Sequence, residues 1–338
     1  MKSVSQASLR LALCLALAAP AAHAGQFTFG GKIFADASLL RQHDHLTGAR
    51  SSDTDADLKR MYLDADYAFD PAWSVHVTAD VNWLRGERDP DLWLKHAYLQ
   101  HKFGQGSQLR LGVDDMPWIA LGSEWYGYRY IDALSTSMQK IDDAADWGVH
   151  LNGPLTPKLD YALSVVTGAG YKRPSHGRRA DVEGFLAYHP SAHTVLALGG
   201  YDGQQGEDAD LEPLYHTSRR VDLMAAYADD TWRVGVRYAY ASNWSTLHEA
   251  ASERGRSWSS WASLRVAKEW SVFARYDRFQ PERLQDPDQR SWYADAGVEW
   301  QPAKRLRLAL VAKRNALERH GRELRSSDEL GVWSEISF

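Results

Sequence analysis

The sequence predicts an all-β fold: a transmembrane antiparallel β-barrel of about sixteen strands, with short turns at one end and longer loops at the other. Three observations predict it. Apolar residues recur with a period of two through most of the chain. The connections between these segments alternate between tight and long. Aromatic residues gather at the segment ends.

The N-terminal stretch stands apart. Lys2 and Arg10 form a basic region, Leu11 to Ala22 an apolar run, and Ala22-His23-Ala24 a small-x-small site. This is the pattern of a secretory signal peptide over residues 1–24, removed after Ala24, with 25–338 as the barrel. The run is too short to span a bilayer, which needs about 20 apolar residues. Cys14 is the only cysteine, so the processed chain has no disulfide, thiolate nucleophile or cysteine-ligated metal. A net charge of -5 gives no sign of a nucleic-acid partner.

Ser74 to Trp83 illustrates the strands. Val75, Val77, Ala79, Val81 and Trp83 share one face, and His76, Thr78, Asp80 and Asn82 the other. Such alternation marks a strand with one apolar and one polar side. The same rhythm sets Met61, Leu63, Ala65 and Tyr67 against Arg60, Asp64 and Asp66. It sets Trp232, Val234, Val236, Tyr238 and Tyr240 against Arg233 and Arg237, and Trp292, Ala294, Ala296, Val298 and Trp300 against Asp295 and Glu299. The predicted segments are 26–40, 59–69, 74–84, 91–103, 108–115, 144–153, 159–168, 178–189, 194–202, 217–228, 232–242, 256–267, 270–279, 290–301, 306–314 and 326–338. Segments 91–103 and 194–202 alternate least cleanly.

Seven connections are tight and carry Pro, Gly or Asp, among them Asp70-Pro71-Ala72, Gly104 to Ser107 and Asp229-Asp230-Thr231. The other eight read as longer and polar. A soluble sandwich has no reason to sort its connections this way, whereas an outer-membrane barrel does. Phe69, Trp73, Phe103, Tyr188, Tyr227, Trp232, Trp270 and Trp300 lie beside the tight turns. Trp83, Trp244, Trp258, Phe279 and Trp292 lie near the long loops. They read as two interfacial girdles. Leu330, Val332, Ile336 and Phe338 share one face of the last strand, and a terminal aromatic there resembles the signal read by outer-membrane assembly machinery. The expected location is therefore the outer membrane of a Gram-negative cell, with its lipid and lipopolysaccharide as surroundings.

Residues 108–153 read QLRLGVDDMPWIALGSEWYGYRYIDALSTSMQKIDDAADWGVHLNG. Leu111-Gly112, Pro117 and Asp146-Trp147-Gly148-Val149, with the upstream Leu94-Lys95-His96-Ala97-Tyr98, resemble the phosphate-selective porin O and P family. The resemblance is clearest over 59–153. It implies a homotrimeric sixteen-stranded channel whose third loop, 116–143, folds into the pore. That loop departs from the family's basic clusters: it carries Arg129 and Lys140 against Glu124, Asp132, Asp142 and Asp143.

Loop 116–143 also holds Trp118, Trp125, Tyr126, Tyr128 and Tyr130, more aromatics than a solvated loop needs. They either narrow a lumen or anchor the loop to its wall. Strand parity assigns Arg110, Arg220, Arg233, Arg237, Arg265, Arg275, Arg307 and Lys313 to the inner face, with Asp64, Asp66, Asp80, Asp114, Asp146 and Asp160 on the earlier strands. A basic wall facing an acidic one would select among ions, unless the arginines pair with acids such as Asp222, Asp277 and Asp295. The expected function is passive passage of small hydrophilic solutes and ions, anions such as phosphate or else sugars.

Enzymatic signatures are not present: there is no G-x-S-x-G and no H-E-x-x-H, so neither catalysis nor a metal or cofactor is expected. His43-Asp44-His45 reads as solvated rather than metal-binding. An adhesin barrel would need larger loops than these.

Overall fold

The computed structural model describes residues 25–173, 179–206, 217–244, 254–282 and 288–338. The predicted signal peptide, 1–24, lies outside the described residues. Sixteen antiparallel strands close into one barrel, each hydrogen-bonded to its neighbours in sequence, with the first paired to the last. They are β1 (Gln26–Asp44), β2 (Arg50–Ala68), β3 (Trp73–Trp83), β4 (Asp91–Phe103), β5 (Ser107–Asp115), β6 (Ala145–Thr156), β7 (Leu159–Val166) and β8 (Asp181–Ser191), followed by β9 (Thr194–Gly203), β10 (Ser218–Ala228), β11 (Trp232–Ser242), β12 (Arg254–Ala267), β13 (Trp270–Glu282), β14 (Gln289–Ala303), β15 (Leu306–Arg319) and β16 (Arg322–Ser337). Two short helices, α1 (Pro117–Tyr126) and α2 (Ser135–Met138), lie between β5 and β6.

The alternation sorts as predicted. Along β10, Ser218, Arg220, Asp222, Met224 and Ala226 are buried, while Val221 and Leu223 are 48% and 47% exposed. Apolar side chains stand bare around the outside, Leu310 and Leu330 at 56%. A soluble protein rarely exposes such a continuous apolar surface, and a barrel in lipid requires it. Closure satisfies the backbone groups that an open edge would strand in hydrocarbon. β1 and β16 pair from Lys32↔Ser337 to Asp44↔Arg325, and Gly31 exchanges two 3.1 Å backbone bonds with Phe338.

Four strands run further than their apolar pattern. β1 reaches Asp44, β2 begins at Arg50, β15 reaches Arg319 and β16 begins at Arg322. Beyond the apolar belt both faces meet water, so pairing continues without alternation. The β15–β16 connection is thus not the long loop expected there. It is a two-residue turn at His320-Gly321, with φ of 49° and 74°, as in a type I′ hairpin.

The girdle nearest the tight turns stands as predicted, with Phe69, Trp73, Trp232, Trp270 and their companions exposed and Trp270 stacked on Trp300 at 5.9 Å. At the other end Trp83 and Trp258 face outward, but Trp244 and Phe279 do not, being 2% and 7% exposed. Phe279 shares the inward parity of Arg275 and Asp277. Trp244 follows Asn243, whose φ of 58° turns the chain inward over Tyr201 and Arg220.

The two poorly alternating segments are strands with local causes. In β4 the pairing shifts between Thr78↔His96 and Ala79↔Leu94. This bulge turns both Lys95 and His96 inward. In β9 the outward Leu196 and Leu198 are followed by Gly199 and Gly200, which carry no side chain to show a face.

Candidate pore constriction

The connection 116–144 lies inside the barrel and is bound mainly to one half of the wall. Pro117 starts α1 where a missing N–H costs nothing. Gly127, with φ 76°, ends it in the left-handed region. A side chain there would meet the Arg233 guanidinium at 2.8 Å.

Four of the five loop aromatics are buried against the wall. Trp118 is 0% exposed, with Arg237 5.3 Å from its ring. Its ring sits where Gly199 leaves space, since a Cβ there would lie 2.7 Å from it. Tyr126 meets Trp261 edge-on at 5.9 Å, and Tyr128 stacks on Phe273 at 4.5 Å. The Tyr130 hydroxyl donates to Glu299 at 2.7 Å. Trp125 is only half-buried, its ring 6.2 Å from His189. The anchoring reading of these aromatics therefore describes their contacts.

The basic residues of the later strands do similar work. Arg220 donates to the Ile141 carbonyl at 2.9 Å, to Glu183 at 2.5 Å and to Asp222 at 2.6 Å, all buried. Arg237 donates to Thr136 at 2.8 Å and faces Asp222 at 3.7 Å. Arg275 holds the Ala133 carbonyl at 2.6 Å and pairs with Asp277. Arg307 reaches the Gly127 carbonyl at 2.9 Å and Glu299 at 2.6 Å. Lys313 bonds the Ile131 carbonyl at 3.1 Å and Asp132 at 2.7 Å. Of the two readings left open for these cations, pairing with acids describes their contacts, because the loop packs on them and carboxylates neutralise them. Desolvation alone makes an unpaired buried cation costly, so each has a carboxylate.

Burial alone would raise the Asp132 carboxyl, but the Lys313 and Lys59 ammonium groups hold it below the ordinary carboxylate range. Asp143 behaves oppositely. Burial first, then the charges of Asp142 and Asp146, push its carboxyl up to about 7. Because this folded-state value lies above the unfolded 3.8, Asp143 favours the folded state at low pH. That contribution is lost as pH rises from about 4 through about 7. Thermal unfolding of Asp143→Asn should accordingly show a shallower loss of stability over this range than the parent protein.

Open space remains on the other side of α1, against β1–β4. A cavity of about 490 Å³ is lined by Lys32, Arg60, Tyr62, Lys95 and Arg129 among others. Five Lys or Arg and four Asp or Glu line it. Several cancel locally: Arg60 pairs with Asp80 at 2.7 Å, and Lys95 with Asp115 at 2.7 Å. Among the described residues no carboxylate lies within ion-pair distance of Lys32 or Arg129. Next to it, Arg110 pairs with Asp114 at 2.6 Å, and His76 and His96 bond Asp66 and Asp115. Toward the tight turns, Arg233 holds the carbonyls of Glu124 and Trp125, and Arg265 shares an open recess with it. Asp146 bonds Thr167 and the Gly168 amide, and Asp160 pairs with His189 at 3.2 Å.

Every basic strand residue expected inside is inside, but they are not one group. Arg220, Arg237, Arg275 and Lys313 are brought together under the loop, and Arg307 lies at its edge, bonded to the loop and bordering the cavity. Arg110, Arg129, Arg233 and Arg265 border open space. Lys32 and Lys95 were not among the sequence candidates, and Arg60 was placed on the polar face of its strand without being one. Lys95 could not be, because its inward direction comes from a bulge. Elsewhere, His45 meets Ser326 at 3.0 Å and Glu323 at 3.4 Å, with the His43 ring 3.8 Å away.

The architecture is that of outer-membrane porins. The chain is similar to the anion-selective porin from Comamonas acidovorans, with a TM-score of 0.69 at 11% identity over 93% of this chain and 100% of that one. It is similar to the outer membrane channel DcaP of Acinetobacter baumannii, with a TM-score of 0.67 at 12% identity over 93% and 97%. Salmonella typhi OmpF, in complex with daunomycin, matches with a TM-score of 0.67 at 11% identity over 93% and 98%. No protein-family model and no curated protein matches the sequence.

Proposed function

We propose that the chain is a passive outer-membrane porin, exported with loss of residues 1–24 and conducting small hydrophilic solutes and ions. The observation that carries this reading is the charge-lined space of about 490 Å³ left beside a loop that is bound to the opposite wall of a closed barrel. Sixteen strands enclose a lumen that side chains alone do not fill. Non-enzymatic passage is the matching activity.

Near-equal numbers of cations and anions around the space favour broad passage with a modest anion preference over strict phosphate selection. The ordinary anion to test is chloride, and the resemblance to phosphate-selective porins makes phosphate the first competitor. A sugar preference has less support, because the loop aromatics that would stack a sugar face the wall. Assembly as a homotrimer fits the resemblance and a similar structure, the trimer form of Vibrio cholerae OmpT.

Reversal potentials across a potassium chloride gradient test the selectivity. The parent channel should favour chloride modestly. Lys32→Gln with Arg129→Gln should move the preference toward potassium, because these two cations border the space without a paired acid among the described residues. An unchanged potential in the double variant would remove them from the selectivity mechanism.

A further inference from the structure

The outer surface carries arginines as well. Several that rise above the apolar belt are already neutralised: Arg219 and Arg179 by Asp202, Arg325 by Asp44, and Arg314 by Glu323 and Asp328. One region sets a bare arginine between interfacial rings. On β13, Arg278 is exposed and stands directly opposite Trp258 of β12 and Trp292 of β14. Among the described residues no carboxylate lies within ion-pair distance of it.

Arg256, diagonal to Arg278 on the outward face of β12, has a partner of its own and is not part of the patch. One neighbour extends it. Arg290 lies two residues beyond Trp292 on β14, and its Nε is buried without a hydrogen-bond partner. Glu318, directly opposite Arg290, accepts from the Trp292 indole at 2.7 Å. Below, Trp258 is 55% exposed, and Tyr276 stacks on Trp292 at 6.4 Å. Aromatic rings of this kind sit at the boundary between acyl chains and headgroups. A guanidinium held between them lies at headgroup height, and its planar fork suits phosphate oxygens.

We propose that Arg278, with Arg290 beside it above the Trp258–Tyr276–Trp292 ring cluster, is a binding site for a phosphate-bearing lipid headgroup on the outer wall of the barrel. The site rests on the membrane reading but not on conductance. Its ligand is an amphiphile: the arginines take the phosphate, and the rings and the apolar face below take the chains.

The full processed chain in detergent, titrated with diphosphorylated lipid A and separately with phosphatidylcholine, tests this by native mass spectrometry. Lipid A should be retained preferentially. Arg278→Gln and Arg290→Gln should each weaken that retention about fivefold, the size expected of one basic side chain at an anionic lipid surface. Arg219→Gln, whose charge Asp202 already holds, should leave it unchanged. Equal retention of the two lipids, or variants that bind like the parent, would overturn the site. Displacement of lipid A by equimolar inorganic phosphate would also overturn it, by showing a free-anion site instead. Both variants, being on the outer wall, should keep the parent conductance. A protein that retains lipid A but never conducts would count against the porin reading and leave this site standing.

Discussion

Replacing Arg220 with Met is expected to destabilise the folded barrel by about 3–5 kcal/mol, the usual cost of removing one partner from a buried ion pair. Arg220 is 1% exposed and satisfies Glu183, Asp222 and the Ile141 carbonyl at once. Without it two carboxylates are left in a site that water does not reach. Glu183 also accepts from the Trp118 amide at 2.9 Å, so the damage passes directly to α1. Urea unfolding in lipid vesicles would measure the loss. The triple change Arg220→Met, Glu183→Gln and Asp222→Asn should recover much of it, because it removes the stranded charges along with their partner. Failure of the triple variant to recover would mean that Arg220 acts through shape or through Ile141 rather than through charge.

Trp118→Ala is expected to cost about 3–5 kcal/mol as a large-to-small change in a packed site, and also to change the channel. Trp118 seats α1 on the wall at Gly199, beneath Arg237. Losing it should free the first half of the loop and alter single-channel conductance, with larger or noisier steps than the parent. Gly199→Val approaches the same contact from the wall. Its new side chain would occupy the place of the Trp118 ring, and it should reproduce the conductance change. Agreement between the two variants would assign the effect to loop seating. A conductance change in Trp118→Ala alone would assign it to the indole.

The barrel was legible in the sequence because lipid imposes a two-residue period wherever it touches a strand. Where water meets both faces, as in residues 50–57 and 315–325, the period vanishes and only backbone pairing defines the strand. The inward direction of Arg220, Arg237 and Arg275 was equally legible from parity. Their partners were not, since parity says nothing about which wall a loop covers. Loop 116–144 is bound to the later strands through contacts between residues far apart in sequence, such as Trp118 with Gly199 and Tyr128 with Phe273. These depend on shape, and no local pattern announces them. Trp244 was misplaced for a related reason: it lies beyond its strand's last paired residue, where a single left-handed Asn243 decides its direction.

Insertion of the processed, refolded chain into a planar lipid bilayer, with single-channel current recorded in potassium chloride, tests the central claim most directly. Discrete current steps that scale linearly with voltage are expected from a water-filled barrel with a fixed loop. A folded, inserted barrel that passes no current would contradict the account.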